Sequence, residues 1–93
     1  MTCTNMAQVR QANRDAGQFW FSPSTLRFFN SRPGRRLYGF RYFISSERYD
    51  WNTPRRYTVR EVTPKAHIET VGEFQQYATR AQALAAIREL QKG

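Results

Sequence analysis

Residues 55–62 read RRYTVREV, and apolar and polar side chains alternate along this stretch. Alternation with a period of two predicts a β-strand with one face toward a core and the other toward solvent. Tyr57 and Val59 would then face the core, and Arg56 and Arg60 would point the opposite way. The rest of the fold follows from the segments that pair with this strand and cover it.

Two more strands are expected beside this one. Residues 36–45 are rich in aromatic side chains and lack a helical period, which predicts a strand that pairs with residues 55–62 across a polar loop. Residues 67–71 predict a third strand, broken or bulged at Gly72, and residues 73–77 are candidates to extend it. Because turns separate consecutive strands, we expect an antiparallel sheet.

A C-terminal helix is predicted over residues 79–91. Thr79 caps it, and Gln82 three positions later completes a capping box, in which the two side chains bond each other's backbone N–H groups. One face carries an apolar stripe at helical spacing, made of Ala83, Leu84, Ala86, Ile87 and Leu90. Such a stripe needs an apolar partner, so we expect this helix to lie on the sheet.

The N-terminal part predicts two short helices. The first, capped by Thr4 or Asn5 and ending at Gly17, has few apolar positions, so we expect it to be marginal and loosely docked. The second begins at Ser22-Pro23, a cap followed by a proline in the first turn. We expect most of the aromatic residues in this part to be buried, namely Phe19, Trp20, Phe21, Phe28 and Phe29.

These segments predict one α+β domain. An antiparallel sheet of three to four strands packs against a C-terminal α-helix, with a short N-terminal helix. The helix occupies residues 1–17, the aromatic-rich segment and sheet residues 18–78, and the last helix residues 79–91. A hydrophobic content of 40% with 15% aromatics is too high for a disordered tail, so the 93 residues should fold.

The positive charge is unevenly distributed. The chain has 15 Lys and Arg against 7 Asp and Glu, a net charge of +8. Residues 27–60 hold nine arginines and two acids, a net charge of +7, so the charge forms a patch rather than an even coat. Thirteen of the fifteen bases are Arg, which suits bidentate phosphate contacts and stacking, although a GC-rich genome also favours Arg.

Alternation predicts where these arginines lie. In residues 36–45, Tyr42 and Ile44 share the face that suits the core, together with Tyr38 and Phe40.

The opposite, open sheet face would then carry three arginines, Arg41, Arg56 and Arg60, with Phe43 among them. Three more arginines would lie at the turns around this face, namely Arg35, Arg36 and Arg55. Guanidinium groups would meet phosphates there, and the ring would stack on unpaired bases. Two alternatives stay open: an ordinary solvated face, and Phe43 packed under the N-terminal segment.

Tyr49 and Trp51 lie in the polar loop of residues 47–54. Large aromatic side chains in a polar loop are candidates for partner contact, because aromatics are enriched at the centres of protein interfaces. Both rings could instead cover an edge of the core.

Several classes of function lack the residues that they need. His67 is the only histidine and Cys3 the only cysteine, so we expect no metal site, no cofactor and no catalytic pair, and therefore no enzyme. No apolar run approaches the roughly 20 residues of a membrane span, and the N-terminus does not resemble a secretion signal. A lone cysteine fits a reducing compartment. We therefore expect a cytoplasmic protein with no membrane partner.

The stretch from Arg55 to Leu90 resembles the end of a three-stranded-sheet-plus-helix module. The resemblance is carried by Tyr57-Thr58-Val59-Arg60, Gly72-Glu73-Phe74 and Thr79-Arg80-Ala81-Gln82-Ala83. AP2-type and integrase arm-binding DNA-binding domains share this layout, with an aromatic before a capped, Ala-rich helix. In those families the sheet enters the major groove, so the resemblance implies DNA contact through the sheet.

Over most of its length the chain is similar to small uncharacterised proteins of phages, plasmids and other mobile elements. The pieces that carry this likeness are Phe19-Trp20-Phe21-Ser22, Arg27-Phe28-Phe29, Tyr42-Phe43, Ser45-Ser46-Glu47, Pro54-Arg55-Arg56-Tyr57-Thr58-Val59-Arg60 and Thr70-Val71-Gly72-Glu73-Phe74. The likeness implies a setting, the host cytoplasm, and raises counter-defence roles such as anti-CRISPR-like inhibition. It carries over no functional residues.

Three hypotheses follow. The protein binds DNA or RNA through the arginine and aromatic sheet face, or it inhibits a host or defence-system protein complex through contacts such as Tyr49 and Trp51. The third hypothesis is an assembly protein that contacts packaged nucleic acid. A DNA mimic would be acidic, so the net charge of +8 excludes that form of inhibitor.

Overall fold

The computed structural model describes residues 3–92 and confirms the α+β fold. In chain order the elements are α1 (Met6–Asp15), α2 (Pro23–Phe28), β1 (Arg32–Pro33), β2 (Tyr42–Glu47), β3 (Arg56–Val62), β4 (Ile68–Val71) and α3 (Arg80–Lys92). The four strands form one antiparallel sheet in the order β1-β2-β3-β4, so each strand pairs with its neighbour in sequence. The hairpin between β2 and β3 is the centre of the sheet.

Helix α3 covers one face of the sheet, as its apolar stripe predicts. The core on this side consists of Tyr42, Ile44, Val59, Ala83 and Ile87. The capping box is present, because Gln82 donates its backbone N–H to Thr79 Oγ1 at 3.2 Å and the Thr79 N–H bonds Gln82 Oε1 at 3.2 Å. The prediction that Tyr57 and Val59 face this helix is also confirmed.

Helix α1 covers the other face, so the expectation of an open sheet face is wrong. Its buried side chains Met6, Val9 and Ala12 pack with Phe43, which is fully buried. Asn13, also buried, donates from Nδ2 to the Ala66 carbonyl at 2.8 Å and ties the helix to the β3–β4 turn. The helix is therefore firmly docked, because the sheet offers an apolar area on its second face as well.

Strand β2 (Tyr42–Glu47) begins and ends later than the predicted strand of residues 36–45. Gly39 and Phe40 both adopt positive φ, of 58° and 59°, and reverse the chain so that Tyr38 pairs with Tyr42. Phe40 is consequently exposed rather than part of the core. The strand continues to Glu47, which the sequence places in the loop.

The N-terminal aromatics are mostly exposed, contrary to expectation. Trp20 and Phe21 pack against the α1 core, whereas Phe19, Phe28 and Phe29 are exposed. Helix α2 buries no residue. Exposed aromatic rings of this size are typical of contact surfaces.

Candidate functional site

Arg60 is buried within the sheet rather than displayed on it. It is only 7% exposed, and its guanidinium carbon lies 5.2 Å from the Trp20 ring centroid and 5.6 Å from that of Phe74. Its nitrogens donate to Ser45 Oγ at 3.0 Å, to Thr70 Oγ1 at 2.5 Å and to Glu47 at 3.3 Å. Burial lowers the pKa of Arg60, and Glu47 opposes that shift. The expectation that Arg60 lies on an open sheet face is therefore wrong.

Glu47 is the centre of the same buried network. Its carboxylate accepts hydrogen bonds from Ser31 Oγ at 2.7 Å and Thr58 Oγ1 at 2.6 Å, besides the one from Arg60. Thr58 Oγ1 in turn accepts the Gln75 backbone N–H at 2.9 Å. Buried charges require this degree of pairing, so the network serves the fold.

Arg55 and Arg56 hold two segments in place through backbone carbonyls. Arg55 Nη1 donates to the Ser46 carbonyl at 2.7 Å and to the Asn30 carbonyl at 3.1 Å. Arg56 donates from Nε to the Gln75 carbonyl at 2.8 Å and from Nη2 to the Gln76 carbonyl at 3.1 Å. The first fixes the chain after α2 beside β2, and the second fixes the loop that follows β4.

Arg35, Arg36 and Arg41 lie toward the opposite end of the sheet. Arg35 and Arg36 are exposed in the connection after β1, where the guanidinium carbon of Arg36 lies 5.4 Å from the Tyr38 ring centroid. Arg41 donates to Glu61, and that hydrogen bond and the Glu61 charge raise the pKa of Arg41. The structure therefore does not bring the six predicted arginines together.

A cluster of exposed aromatics lies where the β2–β3 hairpin turns. Phe28 and Phe29 stack edge to face at 4.9 Å between centroids, and Phe29 meets Phe74 at 6.1 Å. Tyr49, from the hairpin loop, completes the walls of a cavity of about 180 Å³ together with Asn30, Arg48 and Gln75. Tyr49 is 83% exposed and Phe28 82%, so these rings face solvent around the cavity mouth.

Local backbone geometry places these rings. Asn30 adopts a φ of 51°, and the Ser31 N–H bonds the Leu26 carbonyl at 2.8 Å, which ends α2 and leaves Phe28 outside. The loop of residues 72–76 leaves the sheet between the Val59–Val71 and Tyr57–Tyr77 pairs, with positive φ at Gly72 and Gln75. This bulge carries Phe74 toward α2.

Arginines surround the aromatic cluster. Arg32 pairs with Ser46 at the edge of the sheet, and Arg48 directly follows β2. Burial lowers the pKa of Arg55, and the charges of Arg32 and Arg48 lower it further, while Glu47 and Tyr57 oppose the shift. Arg32 and Arg48 therefore both lie close enough to Arg55 to act on its charge, and the three form a positive group beside the aromatic rings.

We call this region the hairpin-end surface. It consists of Phe28, Phe29, Arg32, Arg48, Tyr49, Arg55 and Phe74. Trp51, which is 79% exposed, lies in the same hairpin loop as Tyr49. The loop's acid, Asp50, is engaged locally, since its Oδ1 accepts the Asn52 N–H at 2.8 Å.

A larger cleft of about 570 Å³ lies at the opposite end of the sheet. Phe40, Arg41, Glu61 and Cys3 are among its lining residues. Its arginine is already paired with Glu61, so the cleft has no surplus of positive charge. It is a weaker candidate than the hairpin-end surface for an anionic ligand, despite its size.

Other kinds of site find little support between residues 3 and 92. That part of the chain holds no group of three or more His, Cys, Asp or Glu side chains suited to a metal ion. None of its helices combines the length and the apolar character that crossing a bilayer requires. Cys3 is buried in the α1 core.

Sequence reasoning found Tyr49 and Arg55, and Trp51 in the same loop, but missed the rest of the hairpin-end surface. It assigned Phe28 and Phe29 to the core, and it gave no role to Arg48. One signal in the sequence could have indicated this surface. Arg48 and Tyr49 are adjacent, and an arginine next to an aromatic residue in a loop is typical of a binding surface. The contribution of Phe74 depends on the bulge after Gly72 and could not be found from spacing.

Comparison with known proteins gives a family match. A sequence family described as a family of unknown function (DUF7447) matches residues 5–88, which is most of the chain. No curated protein and no solved structure shows significant similarity to it.

Proposed function

We propose that this chain, which belongs to the DUF7447 family of unknown function, is a nucleic-acid-binding protein whose contacts lie on the hairpin-end surface. The carrying observation is the position of three arginines, Arg32, Arg48 and Arg55, at one end of the sheet beside exposed aromatic rings. A polyanion with flat bases satisfies both features at once, because guanidinium groups bind phosphates and rings stack on bases. Binding of this kind needs no catalytic group.

The charge balance supports the same proposal. Glu47 and Arg60 neutralise each other in the interior, so Glu47 is not a free negative charge beside Arg32, Arg48 and Arg55. The surplus of positive charge at this end of the sheet attracts polyanions. A cytoplasmic location, where nucleic acid is accessible, belongs to the same proposal.

The mode of contact differs from the one that the AP2-type resemblance implies. One face of the central strands β2 and β3 is covered by α1, Trp20 and Phe74, and the other face is covered by α3. Sheet residues that would enter a major groove, such as Arg60, are buried. The proposed contact therefore uses the end of the central hairpin and the segments beside it.

A fluorescence-anisotropy titration tests the proposal. Labelled single-stranded DNA, duplex DNA and RNA are titrated with the protein at low and at physiological salt, with a lysine-rich protein of similar charge as control. We expect micromolar or tighter binding that persists at physiological salt and exceeds the control. Binding no better than the control would mean that the positive charge serves another purpose.

A protein partner is the second candidate, and the exposed rings favour it. Phe28, Tyr49 and Trp51 are each more than three-quarters exposed, and aromatic and Arg residues are the ones that dominate interface energies. The partner would be a host or defence-system protein, in line with the resemblance to mobile-element proteins. Salt separates the two candidates, since contact through buried aromatics depends much less on ionic strength than phosphate binding does.

A further inference from the structure

We infer that the cavity of the hairpin-end surface takes a single unpaired base, so the protein prefers single-stranded nucleic acid to a duplex. This inference rests on the proposed function and names the part of the ligand that the cavity recognises. It is carried by the size of the cavity, by the aromatic character of its walls and by the arginines beside it.

The size of the cavity suits a single ring system. Its volume is about 180 Å³, below the roughly 300–1,000 Å³ of pockets that hold whole small-molecule ligands. Three of its walls are the rings of Phe28, Phe29 and Phe74, of which Phe29 meets each of the other two edge to face, and Tyr49 forms a further wall. Stacking on such rings is available to every base, because each base has a π-face.

Arg48 brings positive charge to the cavity, since it is one of the lining residues. A nucleotide carries a phosphate next to its base, so the ring and the charge of one ligand would both find partners here. An apolar side chain of a partner protein would fill the cavity but would leave this charge without a counter-charge.

The neighbouring arginines fit the rest of a strand. Arg32 lies on the edge strand opposite Ser46, and Arg55 donates to the Ser46 carbonyl. Their guanidinium groups are therefore on the same surface as the cavity, where the phosphates that flank an inserted base would lie. In a duplex the bases are stacked and paired and would have to be extruded at a cost of a few kcal/mol. A single strand offers its bases without that cost.

The test uses the full chain and a probe strand of about 12 nucleotides, a length within the range that one small binding site covers. The strand carries one 2-aminopurine, whose fluorescence falls when the base stacks, and it is compared with its own duplex. Phe28→Ala and Tyr49→Ala remove cavity walls. Phe19→Ala and Phe40→Ala remove exposed rings that lie outside the cavity and serve as matched controls.

The inference predicts tighter binding of the single strand, with quenching of the 2-aminopurine. Each cavity variant should lose quenching and at least about fivefold in affinity, while the two control variants stay near wild type. Arg48→Gln, which removes the charge beside the cavity, should also weaken binding of the single strand. Folding of every variant is checked by circular dichroism, and the two cavity rings are exposed enough that removing them leaves the core intact.

Two results would overturn the inference, and they differ from each other. Equal binding of single strand and duplex, unaffected by the cavity variants, would leave a phosphate-binding surface and remove the base pocket. Binding of both forms no better than the lysine-rich control would remove the proposed function as well. The exposed rings would then be assigned to a protein partner.

Discussion

Replacing Glu47 by Gln should strongly destabilise the protein. The carboxylate is fully buried and accepts three hydrogen bonds, from Ser31, Thr58 and Arg60. Gln has nearly the same shape but has one acceptor oxygen and no charge. The substitution therefore leaves the buried guanidinium of Arg60 without its counter-charge, and it places an NH₂ group against hydrogen-bond donors.

The size of the effect follows from burial. Removing one partner of a buried ion pair costs about 3–5 kcal/mol, because the other charge stays desolvated. Arg60 is 7% exposed and its other two partners, Ser45 and Thr70, are neutral hydroxyl groups, so they cannot replace the carboxylate. Against a total stability of about 5–15 kcal/mol, this is a large fraction.

Urea unfolding followed by circular dichroism measures this loss. With a slope of about 1–3 kcal/mol per molar urea, the midpoint of Glu47→Gln should fall by about 2 M relative to wild type. Glu61→Gln is the matched control, because it removes a carboxylate that pairs with the solvent-exposed Arg41, and water screens that pair. Equal midpoints for the two variants would refute the account of Glu47 as the centre of a buried network.

Three further predictions concern the two sides of the sheet and the candidate surface. Phe43→Ala should cost about 3–5 kcal/mol in urea unfolding, because the ring is fully buried between the sheet and α1; a loss below about 1 kcal/mol would mean that α1 is not docked there. Asn13→Ala should cost about 1–3 kcal/mol by the same measurement, since it leaves the buried Ala66 carbonyl without its donor, and an unchanged midpoint would contradict that hydrogen bond. Phe28→Ala and Tyr49→Ala should leave the thermal midpoint unchanged, because both side chains are exposed; a marked drop would show that they belong to the core.

The elements of the fold that depend on local patterns could be predicted from the sequence. Alternation in residues 55–62 correctly assigns Tyr57 and Val59 to the α3 side and Arg56, Thr58 and Arg60 to the other side. The capping box at Thr79 also forms as expected. These features depend on neighbouring residues, so they need no knowledge of the tertiary structure.

The environment of each strand face could not be predicted in the same way. Arg60 shares a face with Phe43 as expected, but α1 covers that face and the 72–76 loop brings Phe74 over the guanidinium. An arginine in an alternating strand is normally solvated, and the partner that permits its burial, Glu47, was assigned to a loop. Only the register of β2 against β3 brings the two charges together.

The candidate surface depends even more on tertiary contacts. Phe28 and Phe74 are 46 positions apart, and they meet the same cavity because Arg55 and Arg56 anchor their segments through backbone carbonyls. Sequence reasoning gave both arginines to phosphate binding, since exposed arginine in a basic stretch has no other visible partner. Their hydrogen bonds to backbone carbonyls give both a positioning role for the aromatic rings, which Arg55 combines with the proposed phosphate contact.

The salt dependence of single-strand binding tests the central claim most directly. If Arg32, Arg48 and Arg55 each neutralise one phosphate, the slope of log K against log salt should be about −2 for wild type. Arg32→Ala with Arg48→Ala should make that slope shallower by about 1.4, whereas Arg80→Ala with Arg88→Ala, which removes the same charge from exposed positions on α3, should leave it unchanged. Equal slopes for the two double variants would contradict the assignment of nucleic-acid binding to the hairpin-end surface.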